Sequence, residues 1–153
     1  MQVVATDIDN ACQYILSNKT TPNIKLSDAC RASSSLPFFY TPYFINGVKL
    51  VDGGLVNYIP YDLLINDDIP CFGIFINGIT SNTSTVTMFS FIQQVFSIIH
   101  NKGSLVMKEN ALKLGTTIIE IEVQDMSSSN PDLTKDQKYE LFMRGYNKVL
   151  SMF

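Results

Sequence analysis

Only one histidine, His100, occurs in the 153 residues, so imidazole chemistry has a single candidate and any metal site would be built mostly of carboxylates. Three cysteines, Cys12, Cys30 and Cys71, stand far apart with no Cys-x-x-Cys pair. That spacing argues against a zinc site or a disulfide frame and predicts free, buried thiols in a reducing compartment. The 11 Lys and Arg residues form no cluster and the net charge is only -3. A phosphate backbone needs a concentrated basic surface, so no nucleic acid is expected as partner. No run of about eighteen apolar residues exists, which excludes an ordinary transmembrane helix. The opening Met1-Gln2-Val3-Val4-Ala5-Thr6-Asp7 lacks both a basic segment and a long apolar one, so no signal peptide is expected. The predicted location is cytoplasmic, at most peripheral to a membrane. No cofactor and no metal are expected, and neither an internal repeat nor a low-complexity tract occurs.

What is present is apolar. A hydrophobic fraction of 46% against 16% charged residues predicts one folded domain with a real core rather than a disordered chain. Residues 2–6 form a β-branched run that reads as a buried strand ending in the turn Asp7-Ile8-Asp9-Asn10. Residues 27–35 read as a short helix of small residues, with Ser27 as N-cap and Pro37 beyond its end. Asn46-Gly47 between Tyr43–Ile45 and Val48–Val51 predicts a hairpin. Pro60 opens a short helical stretch to Leu64, Cys71–Ile76 reads as a buried strand, and residues 77–87 read as a loop. From Met88 a helix continues to about Leu114, with Gly103 as a candidate break. Ser90, Gln93, Gln94, Ser97 and His100 fall on one stripe of it, a polar stripe without formal charge apart from whatever His100 holds. Residues 117–123 alternate, Ile119, Ile121 and Val123 opposing Glu120 and Glu122. Thr134-Lys135-Asp136-Gln137 matches a capping box opening a terminal helix to about Leu150. Strands alternating with helices give an α/β layer fold.

Three landmarks stand in order along the first half: Val4-Ala5-Thr6-Asp7; Asp28 to Phe39, containing Ala32-Ser33-Ser34-Ser35-Leu36-Pro37; and Val51-Asp52-Gly53-Gly54, followed by Asn57 and Pro60. Together they resemble the patatin-like phospholipase family, over roughly residues 2–76. The resemblance implies a three-layer α/β sandwich of the patatin type, here only its C-terminal portion, residues 1–153 being a partial domain. It implies a serine hydrolase with a Ser-Asp dyad, in which Asp52 is the catalytic aspartate of a motif formed with Gly53 and Gly54. The nucleophilic serine of that family stands in a G-x-S-x-G elbow, and a Gly-rich loop supplies the oxyanion hole. This sequence holds neither. The implied substrates are phospholipids or acylglycerols met at a membrane surface, and the implied partner is the missing N-terminal half or a second copy.

The residues also admit plainer readings. Asp52 can be a turn aspartate followed by glycines chosen for positive φ. Ser33, Ser34 and Ser35 lack elbow glycines and are expected to pack a helix end against the active-site strand. His100 is expected on the surface or as an ordinary hydrogen-bonding group. Asp7 and Asp9 resemble the D-x-D of a haloacid-dehalogenase-type phosphatase, although Asn10-Ala11 departs from that pattern. A non-catalytic remnant that binds lipid or a partner is the alternative function, the Phe-rich stretch 88–99 being its candidate surface. A parallel sheet missing neighbouring layers would leave an open edge and bare apolar faces, so the chain alone is expected to associate.

Overall fold

In the computed structural model residues 1–64, 70–78, 87–123 and 133–152 are described. The predicted hairpin forms at Asn46-Gly47, whose φ angles of 51° and 80° are the two positive values that a tight hairpin turn demands. It joins β3 (Tyr43–Ile45) to β4 (Val48–Asp52). The opening run is β1 (Gln2–Asp7), and the turn after it leads into β2 (Cys12–Ser17), a strand that the sequence pattern does not announce. Gln13 and Ser17 break the apolar run of β2 and only Leu16 is fully buried, so no period-2 signal rises above the noise. The four strands form one sheet in the order β2-β1-β4-β3, every pairing antiparallel. The expected parallel sheet is therefore absent from this part of the chain: β1–β2 and β3–β4 are hairpins, and the two hairpins meet antiparallel along β1 and β4.

Against the sheet lies α1 (Leu26–Ser33), whose buried Ala29 and Ala32 carry so little bulk that the helix backbone approaches β1 and β4 closely. With Ala5, Leu16, Ile45 and Leu50 they make one core cluster. Ser27 is not the cap. The first helical hydrogen bonds run to the carbonyl of Lys25, the extended N-cap residue, so Ser27 already lies inside the first turn. Cys12 and Cys30 are free as expected, yet exposed rather than buried.

The chain divides into two compact units, one of Met1–Pro60 with His100–Met107, the other of Tyr61–Ile99 with Lys108–Phe153. In the second unit β5 (Phe72–Gly78) and β6 (Thr117–Val123) pair in parallel from Phe72↔Thr117 to Gly78↔Val123. Parallel neighbours need a crossover, supplied here by α2 (Met88–Lys113), a continuous helix through Gly103. Pro60 is followed by a single 3₁₀ turn, Tyr61–Leu63. The capping box at Thr134 and Gln137 opens α3 (Lys135–Leu150) as read from the sequence. Most of the expected 77–87 loop lies outside the described residues.

On β6 the Glu120 carboxylate accepts from Lys108 Nζ at 2.5 Å and from Asn77 Nδ2 at 3.1 Å. The lysine holds Glu120 below its ordinary 4.5, and Lys108 also stands 5.0 Å over the Phe75 ring. Lys108→Ala is therefore expected to lower the unfolding free energy, measured by denaturant titration at neutral pH, by about 1 kcal/mol. A depressed carboxylate contributes stability above its unfolded value, so the difference should fade as pH falls below that 4.5.

Candidate functional site

Asp52 ends β4 opposite Ala5 of β1, and its backbone is held from both sides. Its N–H donates to the Ser35 carbonyl at 3.0 Å, and its carbonyl accepts from the Thr6 hydroxyl at 2.7 Å. Thr6 belongs to the first sequence landmark and Ser35 to the second, so all three landmarks meet at this one residue. Ser35 is fully buried, with its hydroxyl donating to the Arg31 carbonyl at 2.7 Å. Its contribution to the site is thus a backbone carbonyl at the helix end, in agreement with the packing role read for the serine run. Replacing Thr6 by Val keeps the size and removes the donor; we expect a loss of about 1–2 kcal/mol by chemical denaturation, restored in Thr6→Ser.

Beyond Asp52 the chain makes a 3₁₀ turn, Gly53–Leu55, with Asp52 as its cap: Oδ1 accepts the Gly54 N–H at 2.8 Å. Neither glycine has positive φ, so the positive-φ explanation for the pair is corrected. The two are glycine for different reasons. A Cβ on Gly53 would lie 2.1 Å from the Val4 carbonyl oxygen, inside the backbone of β1. A Cβ on Gly54 would meet side chains instead: Asp52 Oδ1 at 3.0 Å, Tyr58 Cδ2 at 3.3 Å and His100 Cε1 at 3.4 Å.

Those three contacts define the cluster. The Tyr58 and His100 rings meet edge to face with centroids 5.1 Å apart, and the Tyr58 N–H donates to Met107 Sδ at 3.0 Å. His100 and Met107, two turns apart, thus face the same tyrosine. Burial pushes the Asp52 carboxyl above its ordinary range, offset in part by the Gly54 N–H and by the His100 charge. Burial pushes His100 down, with Asp52 opposing. Tyr58 is raised by burial and by the Asp52 charge.

Of the two places expected for His100, the open surface is corrected: the ring is half-buried. Of the polar stripe of α2, Gln94 is exposed while Ser90, Ser97 and His100 are half-buried; further along the helix Ser104 and Ala111 are buried, whereas the apolar Phe91, Ile98 and Ile99 are exposed. Tyr58 went unread and His100 was not tied to Asp52, because nothing in local spacing links either to that carboxylate; Tyr58 alone lies close enough in sequence to have been suspected. Asp7, the rival nucleophile, has its carboxylate engaged by its own turn. Oδ1 accepts from the N–H groups of Asp9 and Asn10 at 3.1 Å, and Oδ2 accepts from Asn10 Nδ2 at 2.7 Å. Asp9 pairs instead with Lys49 at 2.8 Å. The D-x-D is thus a turn-capping device. Among the described residues no group of three or more His, Cys, Asp or Glu side chains is placed to hold a metal.

Residues 1–65 match the family model described as patatin-like phospholipase, a stretch that contains Asp52, Gly53 and Gly54. No curated protein matches the chain.

Proposed function

We propose that this chain is the aspartate-bearing part of a patatin-like lipid acyl hydrolase, with Asp52 as the base of a Ser-Asp dyad. The observation that carries the reading is the convergence on Asp52. Thr6 and Ser35 clamp its backbone, while its carboxylate lies half-buried at a strand end in a turn where glycine is required. Such a carboxylate has a fixed position and an unsatisfied preference for a proton, which is what a base needs. The family match over residues 1–65 supports a lipid hydrolase as the class of enzyme.

In this mechanism a serine from another segment, upstream in the gene product or on a second chain, brings its hydroxyl to Asp52. The carboxylate takes that proton as the oxygen attacks the ester carbonyl of a phospholipid or acylglycerol, then returns it to the departing alcohol. The oxyanion is held by backbone N–H groups that also come from outside these 153 residues. Water completes the cycle by releasing the fatty acid. Gly53 keeps the turn flat against β1, and Gly54 leaves the carboxylate approachable. The enzyme would work in the cytoplasm, meeting its substrate transiently at a membrane surface; among the described residues no helix is long and apolar enough to cross one.

The test is reconstitution. The frame upstream of Met1 is expected to encode a G-x-S-x-G segment, and that segment combined with this chain should release fatty acid from vesicles. Release no faster than with the serine segment alone would sink the reading.

A second reading keeps the fold without the chemistry, as a lipid- or partner-binding module. The outward apolar residues of α2 favour it, since Phe91, Ile98 and Ile99 are each more than half exposed. Flotation with liposomes that is unchanged by Phe91→Ser and Phe96→Ser would exclude it.

A further inference from the structure

The dyad chemistry has no use for a histidine, yet the single imidazole of this chain stands at the catalytic turn. We infer that His100 acts on Asp52 across the turn, setting by its own charge how readily that carboxylate takes a proton. The inference rests on the reading of Asp52 as base.

The geometry supplies the argument. One point, where a methyl on Gly54 would sit, lies 3.0 Å from Asp52 Oδ1 and 3.4 Å from His100 Cε1. The separation of Asp52 Oδ1 and His100 Cε1 thus cannot exceed the sum of those two distances, in a partly buried site where charges act more strongly than in water. The imidazole cannot swing freely, because the Tyr58 ring abuts it edge-on at 5.1 Å and Tyr58 is itself tied to Met107 on the same helix face. Among the described residues the Asp52 carboxyl and the Tyr58 phenol lie on the His100 side of the turn, and the phenol stays neutral until alkaline pH. On its own helix the charged residue within one turn is Lys102, which is exposed and, two positions on, points away.

Two states follow. Above its own titration His100 is neutral and Asp52 is a bare carboxylate raised by burial, the better base. Below it an imidazolium stands beside the carboxylate, and the pair loses basicity together. The two titrations are therefore coupled, and together they shape the acid side of the pH profile.

The single histidine makes the test direct, since its Cε1–H resonance needs no assignment among rivals. In the full chain the His100 titration is followed by NMR with Asp52 intact and in Asp52→Asn, a substitution of equal shape. Neutralising Asp52 is expected to weaken proton binding at His100 by about threefold or more. The reciprocal measurement, the Asp52 Cγ resonance in His100→Gln, should show tighter proton binding by the same factor, because linkage is symmetrical. Matching His100 midpoints in the native chain and in Asp52→Asn would overturn the inference even if His100→Gln failed to fold. The two readings also fail separately. Reconstituted hydrolysis that survives Asp52→Asn removes the base, whereas an unmoved His100 midpoint removes only its regulator.

Discussion

Asp52→Asn is expected to cut ester hydrolysis by the reconstituted enzyme by about 10³-fold or more in kcat/KM, while making the chain more stable. The first half follows from the proton. An amide cannot accept the serine hydrogen, and general-base catalysis commonly contributes about 10²–10⁴-fold, with more lost when the base also orients the nucleophile. Little else should change, because Asn offers the same oxygen to the Gly54 N–H and leaves the backbone bonds to Ser35 and Thr6 in place. The second half follows from burial, which raises the Asp52 carboxyl in the folded chain. An acid raised by folding favours the native state while it is protonated, and that advantage is lost as pH climbs from the ordinary 3.8 through the raised value. At neutral pH the native chain therefore bears a charged group it would shed, and Asn relieves it. The melting temperature should rise by a few degrees, on the order of 1 kcal/mol at this size, and the gain should vanish in acid below 3.8. Unchanged hydrolysis would refute the catalytic role, and a fall in melting temperature at neutral pH would refute the strain.

Gly53→Ala should act on the fold instead. Its new methyl would sit 2.1 Å from the Val4 oxygen and 2.7 Å from the Val4 carbonyl carbon. Neither is the far end of a side chain that could swing aside. Both belong to β1, whose next residue, Ala5, is paired with Asp52 itself. Relief means opening β1 from β4, the pairing that holds the sheet together. We expect a loss of about 3 kcal/mol or more, a large part of the roughly 5–15 kcal/mol by which a domain is stable. Gly54→Ala provides the contrast. Its methyl would press on the Asp52, Tyr58 and His100 side chains at 3.0 to 3.4 Å, which can yield by a few tenths of an ångström. Its cost in stability should be small, with the effect falling on activity. Equal urea midpoints for the two variants would contradict this division of labour.

The turn after Asp52 and the hairpin leading into it were legible because their signals are local: an Asn-Gly turn, a β-branched strand and two glycines at fixed offsets. The terminal helix was legible for the same reason, its capping box being complete within four residues at Thr134–Gln137. The α/β class likewise emerged from the alternation of elements. What the sequence could not show was partnership. Nothing in Gln2–Asp7 states that its neighbours will be antiparallel, since that depends on which distant strand arrives beside it. The half-polar β2 was lost because one buried residue in six makes no pattern. His100 was misjudged by a sound rule applied to the wrong surroundings. A polar stripe on an apolar helix normally faces water, but here part of that stripe faces Tyr58 and a carboxylate while the apolar residues are left outside.

The order of the sheet also governs when the site comes into being. The β1–β2 and β3–β4 pairs are hairpins closed over short loops, which form within microseconds. The β1–β4 pairing joins Ala5 to Asp52 and is only three residues long, from Ala5↔Asp52 to Asp7↔Leu50. Its closure must gather a long loop for few bonds, so docking of two preformed hairpins should be the slow event in assembling this sheet. Thr6, Gly53 and Asp52 all lie on that seam. The Asp52 carboxylate thus reaches its place in the fold only at the last stage of this sheet's assembly, and substitutions along the seam should slow refolding more than those within either hairpin.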